Sequence, residues 1–152
     1  MNLKNKFCIY LMNPNINEFN DQLKNFIEDL KLLEINQVEK LDNALYYLKF
    51  NKKMPIKLFR EYILKNDLNR IMIFEEKEHF FIEQEYNETH ENITSLMVQQ
   101  IKDKWFNLNK NEKKKIWNYF KIFIYYSDQE MGIDTIKYNK QIKNKYFSRV
   151  VM

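Results

Sequence analysis

The side chains able to do chemistry are few and lie far apart. Cys8 is the single cysteine, so no intramolecular disulfide can form and the chain suits a reducing compartment. His79 and His90 stand at no metal-ligand spacing from each other or from Cys8. Residues 75–91 hold seven glutamates against one lysine. They lack the alternating oxygen ligands and sharp-turn glycine of a calcium loop, and they read as a solvated acidic connector. A chain with one glycine cannot contain G-x-x-x-x-G-K, G-x-G-x-x-G or G-x-S-x-G. The expectation is a non-enzymatic protein with no catalytic residue, metal ligand, cofactor or small-molecule substrate.

Two basic stretches offer a different chemistry. Lys113, Lys114 and Lys115 form a triplet near the start of an expected helix, where cations oppose the macrodipole. The segment 135–152 mixes Lys137, Lys140, Lys143, Lys145 and Arg149 with Tyr138, Tyr146 and Phe147, and contains no acid. Basic residues interleaved with rings suit phosphate contacts and base stacking. A solvated lysine face on an amphipathic terminal helix that packs Ile136, Ile142 and Tyr146 accounts for the same residues. The net charge of +4 belongs to this tail. The excess of lysine, asparagine and isoleucine is what AT-rich codon usage produces, so charge alone is a weak guide.

The elements that must position these groups are helical. The chain has 152 residues, the size of one domain, and is 45% hydrophobic and 16% aromatic, far from the composition of disordered segments. One glycine and two prolines leave little material for the turns of sandwiches, barrels or doubly wound sheets. The densest aromatic stretch, Trp105 to Tyr126, carries both tryptophans and reads as the end of one helix, a polar break at 107–110, and most of the next. The predicted fold is all-α: a compact bundle of five to six helices around this aromatic helical hairpin. A short N-terminal strand or arm precedes it, and a basic C-terminal tail or terminal helix follows. Residues 1–134 form the helical domain and 135–152 the tail.

Helix starts are signalled by N-x-x-E at Asn15/Glu18, Asn36/Glu39 and Asn109/Glu112, and by Pro55. The first start leads into Ile16, Phe19, Leu23, Phe26, Ile27, Leu30 and Leu33 at helical spacing, the second into Val38, Leu41, Leu45 and Leu48. Pro55 opens a helix with Ile56, Phe59, Tyr62 and Ile63. Asp67 is expected to cap the next, with Leu68, Ile71, Met72 and Phe74 inward. Residues 71–86 read as helix continuing to Phe81, with a strand pair as the alternative. A fifth helix runs from Glu91 or Asn92 to Trp105. Gly132 is expected to stop the helix after the hairpin.

Four stretches in this order resemble a known group. They are FNDQLKNFIEDLKLL at 19–33, PIKLFREYILK at 55–65, IMIFEEKEHFFIEQEY at 71–86 and KDKWFNLNKNEKKKIWNYFKIFIYY at 102–126. The chain resembles small helical proteins of unassigned activity from nucleocytoplasmic large DNA viruses, the giant viruses. The matching positions include Trp105, Leu108, Lys113, Ile116, Trp117 and Tyr119. The likeness spans about residues 16–126, leaves arm and tail unmatched, and supplies no catalytic residue. It implies a virus-encoded helical protein of the host-cell cytoplasm, with packaging in the virion left open. Its partners would be other viral proteins or itself through surplus rings, or nucleic acid through the tail. No membrane is expected, and the protein is not expected to be secreted.

Overall fold

The computed structural model describes residues 14–33, 38–83 and 92–150, with the side chains of 38 and 147–150 outside the description. The predicted N-terminal arm, Cys8, the Asn36 cap and His90 lie outside the described residues. The elements are α1 (Pro14–Lys31), α2 (Val38–Tyr47), α3 (Met54–Tyr62), α4 (Asp67–Phe74), α5 (His79–Ile82), α6 (Ile93–Lys104), a 3-10 turn (Trp105–Asn107), α7 (Lys110–Glu130) and α8 (Thr135–Val150). The protein is an all-α bundle, and no strand occurs among the described residues.

The long helices α1 and α7 form its axis and pack most extensively on each other. The predicted stripe of α1 is buried at Ile16, Phe19, Leu23, Phe26, Ile27 and Leu30. It faces Ile116, Phe120, Phe123 and Ile124 of α7 in one apolar cluster. Rings dominate that cluster. Phe81 lies 4.8 Å from both Trp105 and Trp117 and 5.1 Å from Phe120, between centroids. Phe19 and Phe26 reach Phe123 at 5.1 and 5.7 Å. Tilted and edge-on pairs of this kind each add roughly 0.5–1.5 kcal/mol beyond burial. The two tryptophans meet at 5.4 Å, so the expected hairpin corner is real, although the main partner of α7 is α1 and not α6.

Helix ends explain where the sequence reading holds and where it slips. At α7 the predicted cap is complete: Asn109 Oδ1 accepts from Glu112 N–H at 2.8 Å, and Asn109 N–H donates to Glu112 Oε1 at 2.9 Å. The α7 terminus is a Schellman turn. Ile133 N–H donates to Asp128 C=O and Gly132 N–H to Gln129 C=O, with Gly132 at φ +73° as expected. Asn15, in contrast, is no cap, because α1 already begins at Pro14. Asn66 caps α4 by accepting from Asn69 N–H at 2.8 Å, which leaves Asp67 in the first turn.

The inward face of α4 is corrected in part: Met72 and Phe74 pack half-buried against the core as expected, and Leu68 does not. Leu68 is exposed, and the buried residues are Asn69, Arg70 and Ile73. Two polar side chains turn the helix: Asn69 Nδ2 donates to Ile63 C=O at 2.9 Å and Arg70 reaches a buried aspartate on α7. The helix runs past residue 71 only to Phe74, and among the described residues neither the continuous helix to Phe81 nor the strand pair forms. Lys77 N–H donates to Met72 C=O and Glu76 N–H to Ile73 C=O, a second Schellman turn, here with Glu76 at φ +54° in the place glycine usually takes. After it, α5 is one turn that inserts Phe80 and Phe81 into the core. On α8, Ile142 is buried as expected, whereas Ile136 faces solvent.

Candidate functional site

The most buried polar chemistry lies where α4, α7 and α8 meet, at residues without any sequence motif. Arg70 Nη1 and Nη2 donate to the two oxygens of Asp128 at 2.6 and 2.7 Å, with side chains 6% and 2% exposed. Thr135 Oγ1 donates to the same carboxylate at 2.8 Å. The Tyr138 ring lies 4.7 Å from the guanidinium, and its hydroxyl donates to Asp67 Oδ1 at 2.8 Å. That bond, with burial behind it, pushes the Tyr138 phenol above its ordinary range. Beside Asp128 on α7, Arg60 donates to the hydroxyl and carbonyl of Ser127, at 2.9 and 2.8 Å, and pairs with Glu130. The donors and acceptors point at one another, so the centre acts as a clasp that fixes α3, α4 and α8 on α7.

The lysine triplet faces the acidic loop after α4. Lys113 Nζ lies 3.0 Å from Glu78, Lys114 2.7 Å from Glu76, and Lys115 3.0 Å from Asp29 of α1. Lys121 also reaches Glu76 at 3.2 Å, and Lys143 of α8 reaches Glu75 at 2.5 Å. Each of Glu75, Glu76 and Glu78 is held below the usual carboxylate range, first by Lys143, Lys114 and Lys113 respectively. The buried Trp105 N–H has no acceptor at hydrogen-bond geometry, yet it adds to the depression at Glu78; we read that contact as electrostatic. Lys113 also lies 5.0 Å from the Trp105 ring centroid. Burial works to raise Asp29, but Tyr119, donating at 2.6 Å, and Lys115 outweigh it and lower the carboxyl. Burial, then this bond, lifts the Tyr119 phenol to about 12.

The sequence-derived binding residues therefore separate. Lys113, Lys114, Lys115 and Lys143 are in ion pairs. Tyr138 is turned into the clasp. Lys137, Lys140 and Lys145 are exposed, and Tyr146 is half-buried. The side chain of Arg149 lies outside the described residues. The acidic connector and the basic terminal helix meet within one molecule, through Glu75 and Lys143. His79 is exposed, with Nδ1 3.3 Å from Glu83. Among the described residues, no three His, Cys, Asp or Glu side chains are grouped to hold a metal ion, and no helix is long and apolar enough to cross a membrane.

A different patch emerges at the turn between α2 and α3. Leu41 of α2 and Leu48 just after it anchor this segment in the core, and Tyr46, Tyr47 and Phe50 face solvent, the last two 69% and 73% exposed. Tight turns draw them together, with Lys49 N–H donating to Tyr46 C=O and Phe50 N–H to Tyr47 C=O. The Tyr46 ring lies 5.5 Å from Phe50 and 6.2 Å from Tyr47, both edge-on, and Lys49 Nζ lies 5.6 Å from its centroid. Lys49, Lys52 and Lys53 are exposed and have no carboxylate partner among the described residues. Beside them a groove of about 910 Å³ runs between α1 and α2, lined by Asn20, Lys24, Tyr46, Lys49 and Lys52, and by Asp21, Glu28 and Asp42. Asn20 Nδ2 donates to Lys52 C=O at 2.9 Å, and its buried Oδ1 has no partner. The signal for this patch was legible: residues 43–60 contain no acid, with Tyr46, Tyr47 and Phe50 among the lysines.

No protein-family model matches the chain, and no curated protein or solved structure proved similar to it.

Proposed function

We propose that this chain is a non-enzymatic interaction protein of a large DNA virus, a virion or assembly component working in the host-cell cytoplasm and the particle. Its partners are other viral proteins or further copies of itself. The observation that carries this reading is what the fold leaves outside. The strongest polar groups are closed on one another in the Arg70–Asp128 clasp, while large apolar side chains such as Leu32, Tyr47, Phe50 and Phe106 remain on the surface. Rings on a surface suit protein contacts, because they bury much area at little entropic cost. The viral origin rests on the sequence resemblance. Quantitative mass spectrometry of purified particles, with light scattering of the isolated protein, tests the reading. It expects a high copy number per particle and association with itself or a virion protein. Absence from the particle together with a strict monomer that binds no viral protein would overturn it.

A second reading, association with nucleic acid, is favoured by one observation: rings and unpaired lysines occur together at the α2–α3 turn.

A further inference from the structure

We propose that the ridge formed by Tyr46, Tyr47, Phe50, Lys49, Lys52 and Lys53 binds single-stranded nucleic acid, the bases stacking on the rings and the phosphates lying along the lysines. The proposal rests on the second reading and moves its site away from the terminal helix. Three observations carry it. The rings meet edge-on at 5.5 and 6.2 Å; Lys49 Nζ lies over the Tyr46 ring, while Tyr47 and Phe50, 69% and 73% exposed, offer ring surface to flat partners. The lysines beside them have no carboxylate partner among the described residues, in contrast to the α7 triplet, so phosphate can meet them without displacing an existing ion pair.

The third observation is the course of the charge. Glu28 and Asp42 line the neighbouring groove and are held by Lys31. With Asp21 they make the groove a poor track for phosphate, and the backbone is confined to the lysine side. A duplex hides its base faces and gains nothing from exposed rings, so the ridge selects single strands. A protein partner would use the rings but would leave the lysines without a role unless it were acidic.

The test is fluorescence anisotropy of the full chain with a labelled oligo(dT) of roughly twenty nucleotides, longer than one single-strand binding site, beside a duplex of equal length. The Tyr47→Ala/Phe50→Ala variant should weaken single-strand binding about tenfold or more. Both side chains are mostly exposed, and circular dichroism of the variant checks that the fold survives. The Lys49→Glu/Lys52→Glu/Lys53→Glu variant should make the log–log salt dependence shallower by about two units, three phosphates at roughly 0.7 each. Binding that survives both variants but falls on Lys137→Glu/Lys140→Glu overturns the ridge and leaves the nucleic-acid reading on α8. Equal affinity for the duplex, insensitive to the ring variant, also overturns it. No binding at low salt overturns ridge and second reading together. Loss of self-association in the ring variant, with the oligonucleotide unbound, gives this face to protein contacts and leaves the first reading standing.

Discussion

Lys113, Lys114 and Lys115 near the start of α7 and Lys49, Lys52 and Lys53 in the α2–α3 turn are the same chemistry within reach of solvent. The fold uses them differently. Above α7, the Schellman turn at Glu76 ends α4 and lays Glu75, Glu76 and Glu78 where Lys114, Lys121, Lys113 and Lys143 can reach them. Those carboxylates, with Glu112 of the capping box, bring negative charge near a helix start where three lysines would otherwise oppose the dipole. At the α2–α3 turn no acid occurs between residues 43 and 60, and the lysines share the surface with rings. A lysine cluster is thus a structural part or an open surface according to whether a carboxylate loop is docked on it. Its own sequence does not say which.

The sharpest way to break this contrast is at the most buried charges. Asp128→Ala strands Arg70 without a counter-ion and should cost about 3–5 kcal/mol, read from urea unfolding. Arg70→Met combined with Asp128→Leu should recover most of it, since an apolar pair of similar size is often neutral. A loss confined below 1 kcal/mol in the single variant would show that the clasp does not hold the helices.

Glu76 sharpens the comparison at one residue. Its φ of +54° is costly for any residue with a Cβ, and its carboxylate serves both Lys114 and Lys121. Glu76→Ala keeps the backbone cost and loses the pairs. Glu76→Gly loses the pairs but relieves the backbone, and should be more stable than the alanine variant by about 1 kcal/mol, by thermal or urea unfolding. Equal stability would mean that the turn does not fix the loop.

The acidic loop also gives a pH dependence. The folded-state pKa values of Glu75, Glu76 and Glu78 lie below the ordinary 4.5, so the unfolded chain takes up protons first as pH falls. Their contribution is complete above 4.5 and is lost as pH drops through the lowered values. These carboxylates are partly exposed and screened, so the effect is modest. The melting-temperature gap between the native chain and Glu75→Gln/Glu76→Gln/Glu78→Gln should be open at about pH 6 and narrow steadily as pH falls below 4.5. An unchanged gap would remove the loop from the account.

Much of the fold could be read in advance from residues whose role is local. The α1 stripe, the capping box at Asn109, Gly132 as a helix stop and the aromatic centre depend on spacing and side-chain chemistry within a few residues. The misses depended on distant partners. Hydrophobicity places Leu68 inward, but Arg70 is drawn in instead by Asp128, 58 positions along the chain. The break at Glu76 had no glycine to announce it, and the ion pairs beside it come from α7. At the surface the same limit applies: the carboxylates paired with Lys113 and Lys114 lie 35 and 38 positions back in the chain, and the partner of Lys115 is Asp29 on α1. The ridge at 46–53 carries a usable signal, an acid-free run with three rings, shorter than the basic tail.

The central claim is that α7 lysines hold the fold while ridge lysines do not, and the direct measurement is urea unfolding of two charge reversals side by side. Lys113→Glu/Lys114→Glu/Lys115→Glu should lose about 1–2 kcal/mol, more at low salt than at high salt. Lys49→Glu/Lys52→Glu/Lys53→Glu should stay within about 0.5 kcal/mol of the native chain. Equal losses in the two variants, or a larger loss at the ridge, would contradict the account.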